Sequence, residues 1–487
     1  MKQTEKNITS FIHPQGGMSQ MRFQKFISLL CALTLVLGGY AYADESGVAQ
    51  LNSTIDNLQK QIGQMRSMMD QMNQQIRDIE KREPQVIVSK SGAAVQPMTQ
   101  KDFDKQLEAS IGPASQWLKD LKFGGDMRLR YEGSHFNSGN PSETDDYNRF
   151  RIRLRYGFEK TFNPDMKVGF YMASGGTTDP TSTNTSFDGN FVNKSLQWDR
   201  AYATYTPSWA KEIGPIKKLE ITGGKFKNPF EKGSSKIIWD TDVRPEGVYE
   251  KVDLDLIKTD GLEVGGYLTY GQFVLDEASG SSKQDAELFA LQFGLNPKFD
   301  IGLERPVEWL SAFSWYNFNG YADNSDFGSF ARGNFNRDGD STTLDAGDFN
   351  IIEIYNELLI NPYAPRLMPN LPVKVYYDVA TNTATDLYDL AWALGMKLGS
   401  AKKKGQWQLG YEYRYIEPNA VVGAFADSDF GLTGHTDARG SVISGAYKLT
   451  DDLSLESTLF LTGHLSSDAI TRDEEKRMLQ VDMVWKF

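Results

Sequence analysis

From Leu121 to the C-terminus, apolar and polar residues alternate with a period of two, the rhythm of a strand with two unlike faces. In Arg149–Phe158, Phe150, Ile152, Leu154, Tyr156 and Phe158 fall on one side, and Arg149, Arg151, Arg153 and Arg155 on the other. Gln406–Tyr415 sets Trp407, Leu409, Tyr411, Tyr413 and Tyr415 against Gln406, Gln408, Glu412 and Arg414. Leu371–Ala380 separates Val373, Val375, Tyr377 and Val379 from Lys374, Tyr376 and Asp378. About sixteen such segments follow one another, near 122–134, 147–160, 165–175, 196–206, 217–227, 246–257, 260–276 and 285–297. The remainder lie near 307–320, 349–360, 371–382, 388–399, 405–416, 438–448, 451–463 and 475–487, several with blurred alternation. Dyads of this kind suit a soluble sandwich or a membrane barrel alike.

The connections separate the two. Every second link is mostly a short turn: Asn163-Pro164-Asp165, Lys258-Thr259-Asp260-Gly261, Ala401–Gly405 and Thr450-Asp451-Asp452. The links between them are often long and polar, at 135–146, 176–195, 228–245, 321–348 and 417–437. A sandwich has no reason to segregate loop lengths, whereas an outer-membrane barrel has short turns at one rim and long loops at the other. Two links depart from the rule, a short one near Asn382–Asp386 and a longer one at Asn361–Asn370. In the last segment Leu479, Val481, Met483, Trp485 and Phe487 share a face, and Trp485 and Phe487 form the aromatic terminus expected to direct barrel assembly. The expected fold is an all-β transmembrane barrel of about sixteen antiparallel strands over 120–487.

Ahead of the barrel the rhythm is different. Leu51, Ile55, Leu58, Ile62, Met65, Met69, Met72, Ile76 and Ile79 alternate in steps of four and three, with Asn, Gln, Asp, Arg and Lys between. That narrow seam predicts an α-helical coiled coil within 44–83, about 45 Å long at 1.5 Å per residue, and hence an oligomer. Glu83-Pro84 ends it, and 84–119 reads as a linker. Earlier still, Arg22 and Lys25 precede the apolar run Phe26–Gly39 and then Ala41-Tyr42-Ala43, the pattern of a cleaved export signal over 1–43.

Composition narrows the partners. Lys+Arg number 52 and Asp+Glu 64, a net charge of −12, with no clustered basic stripe for nucleic acid. The single cysteine, Cys31, falls inside the signal, so there is no disulfide framework or thiol chemistry. Mean hydropathy is negative, which excludes a bundle of membrane helices and leaves barrels open.

Four stretches carry a family resemblance: Asn148-Arg149-Phe150-Arg151-Ile152-Arg153-Leu154-Arg155; Lys167-Val168-Gly169-Phe170 leading to Ala173-Ser174-Gly175-Gly176; Gly223-Gly224-Lys225-Phe226-Lys227-Asn228-Pro229-Phe230; and Trp239-Asp240-Thr241-Asp242-Val243-Arg244-Pro245-Glu246-Gly247. The chain resembles the bacterial outer-membrane porins that bear an N-terminal periplasmic helix. The resemblance implies a trimeric diffusion channel and leaves the solute open. The expected partners are a homotrimer, outer-membrane lipid and lipopolysaccharide, the barrel-assembly machinery and, through the coiled coil, peptidoglycan.

If the apolar faces meet lipid, the opposite faces line water. Arg128 and Arg130 on the first strand then join Arg149, Arg151, Arg153 and Arg155 on the second in one basic wall, which would favour anions. Asp126 and Glu132 share that face and offset part of the charge, so a structural ladder competes with a selectivity role. The third long connection, 228–245, is the candidate constriction loop, with Glu231, Asp240 and Asp242 as its acidic side and Trp239 and Phe230 packing it down. Asn334, Asn336, Asp338 and Asp345 weakly echo a calcium loop, but position eight is Ser341 and flanking helices are missing. His13, His135, His435 and His464 form no catalytic set, and no cofactor is expected. The expected function is passive diffusion of small hydrophilic solutes and ions. The alternatives are a phosphate-type anion-selective porin and a barrel-anchored envelope tether or adhesin.

Overall fold

A computed structural model describes residues 120–137, 146–277, 285–303, 305–321, 332–334, 349–361, 371–432, 435–465 and 474–487. The export signal, coiled-coil seam and linker lie outside the described residues.

The strands are β1 (Leu121–Asn137), β2 (Tyr147–Asn163), β3 (Met166–Ser174), β4 (Thr185–Ser186), β5 (Leu196–Tyr205), β6 (Ile216–Lys225), β7 (Glu246–Lys258), β8 (Leu262–Asp276) and β9 (Ala286–Phe299). They continue as β10 (Val307–Asn319), β11 (Asn350–Ile360), β12 (Val373–Asn382), β13 (Leu390–Gly399), β14 (Trp407–Ile416), β15 (Ala438–Lys448), β16 (Leu453–His464) and β17 (Glu475–Lys486). β4 is a two-residue bridge that continues the edge of β2 where β3 ends, placing Ser186 opposite Arg151. The other sixteen pair antiparallel with their neighbours, and β17 returns to β1, so the sheet closes with no free edge. Each alternating segment anticipated above corresponds to one of these sixteen strands.

Phe487 extends the closing β1–β17 pairing at the rim of short turns. Gly125 N–H donates to the Phe487 carbonyl at 2.9 Å and Phe487 N–H donates back at 3.2 Å. A side chain at Gly125 would overlap the Arg155 carbonyl oxygen, so only glycine lets β1 lie this close to β2. Outward-facing aromatics gather near this rim: Phe123 stacks on Tyr156 at 6.3 Å, and Phe487 is 61% exposed. They occupy the position of an interfacial girdle. The two departures in loop length persist, since β12 and β13 are joined by a short link and β11 and β12 by a longer one.

The interior is not uniformly polar. The third loop, 226–245, folds inside the barrel and buries Phe226, Phe230, Ile237, Ile238 and Trp239. The seventh loop, 417–437, expected as an outer loop, also folds inward and buries Val421, Val422 and Phe430. The two loops meet directly: Asp240 N–H donates to the Phe425 carbonyl at 2.7 Å, and Asp427 N–H donates to that of Lys236 at 3.2 Å. Their rings interlock with the wall, Trp239 packing on Tyr316 at 5.4 Å and on Phe425 at 5.8 Å. Receiving this mass are small or apolar inward residues such as Ala290, Ala391, Ala393 and Ile416. These strands are apolar on both faces over part of their length, which is why their alternation blurs. Each large side chain buried this way contributes about 1.5–3 kcal/mol, so the loops are held as firmly as a small core.

Candidate functional site: the arginine wall and the inserted loops

The register of β1 with β2 sets Arg128 opposite Arg153, Arg130 opposite Arg151, and Asp126 and Glu132 opposite Arg155 and Arg149. All six arginines sit on the inner face. Like charges directly opposed are unfavourable, so the wall stands only because carboxylates interleave with it. Asp126 accepts from Arg153 at 2.6 Å and from Arg155 Nε at 2.7 Å. Glu132, fully buried, accepts from Arg149 Nε at 2.7 Å and Arg151 at 3.4 Å. Across the closing seam Asp482 takes Arg130 in a two-pronged bond at 2.7 and 2.8 Å, with Arg128 3.7 Å away. Arg128 also donates to Asn184 of the second loop at 2.5 Å.

The inserted loops complete the pairing. Arg155 Nη1 donates to Asp242 at 3.0 Å, and Thr183 Oγ1 donates to the other oxygen of that carboxylate at 2.9 Å. Arg130 Nη1 donates to Asp429 of the seventh loop at 3.3 Å. Burial alone would raise the Asp242 pKa, but Arg155, Arg153, Arg244 and Arg128 draw it down to about 2.

Of the three acids expected on the loop, only Asp242 faces the wall. Asp240 is turned into the loop junction, where it accepts from Asp242 N–H at 2.7 Å and Ser428 N–H at 3.4 Å. Burial drives its carboxyl pKa well up against the opposing pull of Lys236. Glu231 is held by Lys227 at 2.9 Å, one turn of chain away. Asp429 takes the place expected of them. The seventh loop is further fixed by Asp427, which accepts from Arg414 at 2.6 Å and lies 3.4 Å from Lys236. Burial opposes ionisation of Asp427, yet these two cations hold it well below the usual carboxylate range.

Asn334 is not available as a calcium ligand in the way its spacing implied. Its amide donates to the Pro418 and Val421 carbonyls at 2.5 and 2.8 Å and accepts from Gly423 N–H at 2.8 Å, clasping the seventh loop. Asn336, Asp338 and Asp345 lie outside the described residues. The histidines are dispersed: His135 meets Asp146, His435 the Gly423 carbonyl, and His464 Asp437 and Glu474. At the terminus Trp485 and Phe487 share the outward side of β17 with Met483, while Asp482 and Val484 point inward.

Two adjoining spaces lie in the lumen among the described residues. One, about 260 Å³, is bounded by Arg128, Arg130, Arg153, Asp242 and Asp429. The other, about 510 Å³, lies beside the third loop and is lined by Lys232, Leu310, Tyr355, Lys374, Tyr376 and Lys397. Lys236, Thr241, Tyr376, Lys397 and Glu412 border both. This second lining went unnoticed in the sequence because its pairs form across strands. Tyr376 lies opposite Gly395, where a side chain would overlap its ring, and Lys397 reaches over that ring at 5.7 Å.

The family described as "Putative porin" matches the chain over residues 141–350 and 348–487. No curated protein matches it. Among solved structures, the high-pH form of OprB from Pseudomonas putida is 12% identical, with a TM-score of 0.46, covering 78% of this chain and 97% of its own. OmpF of Salmonella typhi in complex with daunomycin is 11% identical, with a TM-score of 0.41, covering 75% and 97%. A loop-deletion mutant of OmpT, an outer membrane protein of Vibrio cholerae, is 12% identical, with a TM-score of 0.39, covering 75% and 99%. With the family matched over most of its length and a closed sixteen-stranded barrel around inserted loops, the chain belongs to this family of outer-membrane porins.

Proposed function

We propose that the barrel is a water-filled channel through which small hydrophilic solutes and ions cross the outer membrane by passive diffusion. The carrying observation is the pair of adjoining lumenal spaces, one between the arginine wall and the two inserted loops and the other beside the third loop. Charged groups line both, and fixed charges facing each other across a narrow passage orient solute dipoles without binding any solute tightly. The wall itself is a ladder of ion pairs, since each of its six arginines has a carboxylate partner. That pairing supports weak ion selectivity over a dedicated phosphate-type channel. The coiled-coil seam predicted at 51–79 supports a reading in which it joins copies of the chain in the periplasm.

Swelling of proteoliposomes in isosmotic sugars tests the reading. Swelling should be fast for a pentose and fall steeply between a disaccharide and a trisaccharide. Liposomes carrying the folded barrel that swell no faster than empty ones would refute it.

A further inference from the structure

The arginines of the wall all have carboxylates, but three lysines on the inner surface away from it do not. Lys397 on β13 lies over the ring of Tyr376, and Lys232 of the third loop and Lys251 on β7 both lie over the ring of Tyr267, at 4.5 and 5.4 Å. Among the described residues none of the three forms an ion pair, whereas neighbouring Lys374 meets Glu357 at 2.6 Å and Lys236 meets Asp427 at 3.4 Å. A tyrosine face attracts an ammonium group through its ring quadrupole but brings no formal charge to neutralise it. Two ammonium groups over one ring also repel each other. Burial and the adjacent Lys251 lower the Lys232 pKa, and Asp253 only partly offsets them.

Lys232 and Lys397 both line the chamber of about 510 Å³, a volume within the range of small-molecule sites. Its acids are mostly spoken for: Glu231 by Lys227, Glu357 by Lys374 and Glu412 by Arg414, which leaves Glu308. Beside the lysines lie Leu310, Tyr355 and Tyr376, an apolar and aromatic surface that an inorganic ion would not use. We propose that this chamber is a transient binding site for a small organic carboxylate, its charge taken by Lys232 and Lys397 and its body lying on Tyr355, Tyr376 and Leu310. The proposal rests on the channel reading and names the class of solute that the channel delays.

Single channels of the full chain in planar bilayers, at fixed potassium chloride with sodium benzoate added, test it. Benzoate should interrupt the current in a saturable way. Inorganic phosphate at matched ionic strength should do so only at about tenfold higher concentration, a gap of about 1.4 kcal/mol. Lys232→Gln with Lys397→Gln should raise the half-blocking benzoate concentration about tenfold or more. Lys402→Gln, on a short turn, should leave it in place. No saturable interruption by benzoate in the unaltered protein would overturn the proposal, as would equal potency of phosphate. Absence of any chloride-carried steps would instead be a failure of the channel reading itself.

Discussion

Arg155 on β2 and Asp242 in the third loop are joined by a 3.0 Å hydrogen bond, a charged pair that fastens the loop to the barrel wall. Asp126 holds the same guanidinium from the other side at 2.7 Å. Both partners are largely withdrawn from water, with side chains 20% and 8% exposed. Removing Asp242 leaves Arg155 to Asp126 alone and takes one charged hydrogen bond from the loop.

Asp242→Asn should therefore destabilise the folded barrel by about 1.5–3 kcal/mol, the usual worth of a hydrogen bond between charged groups. The temperature at which the fast-migrating folded band converts to the unfolded band on a gel measures this. An unchanged conversion temperature would mean that the loop is held without the pair.

The same group makes a pH prediction. The folded pKa of Asp242, about 2, lies below its ordinary value of 3.8, so its stabilisation is complete above about pH 4 and disappears as pH falls toward 2. Conversion temperature should drop across that interval, and Asp242→Asn should flatten the drop.

Gly233 lies where the third loop touches the wall. A side chain there would meet Ala312 Cβ and the Tyr267 hydroxyl at 2.5 Å, and Ala312 cannot move aside. Gly233→Val should lift the loop and raise single-channel conductance. Unaltered conductance in a folded variant would show that the loop does not limit flow.

Phe425 of the seventh loop packs on Trp239 of the third at 5.8 Å and on Phe318 at 6.1 Å. Phe425→Ala should remove about 3–5 kcal/mol of packing at that junction, less any collapse. Frequent flickering between conductance levels is the expected readout. Steady currents like those of the parent protein would contradict a joint role for the two loops.

Deleting residues 47–82, which carry the predicted coiled-coil seam, should weaken the proposed trimer on a non-denaturing gel while leaving the barrel folded. A trimer of unchanged stability would free the segment for contact with the cell wall.

The barrel was legible because a strand facing lipid on one side and water on the other writes its period into the residues. Arg149, Arg151, Arg153 and Arg155 pointed to the inner face for the same reason. The seventh loop was not legible as an inserted one. Its small apolar run Val421-Val422-Gly423-Ala424-Phe425 departs from a polar outer loop, but nothing local says that it packs on Trp239 rather than elsewhere. Asp240 and Asp242 differ by two positions and would be expected to share a task. The turn between them sends one to the wall and the other to the loop junction. Lys397 over Tyr376 depends on the β12–β13 register, which alternation alone does not set.

Conductance of the purified protein in planar bilayers tests the central claim most directly. A water-filled lumen with a paired arginine wall predicts stable ohmic steps proportional to potassium chloride concentration, with a reversal potential near zero in a salt gradient. Arg151→Glu with Arg153→Glu should shift that potential toward cation preference. Folded barrels that insert and pass no steps, or a parent channel already ideally anion-selective, would contradict the account.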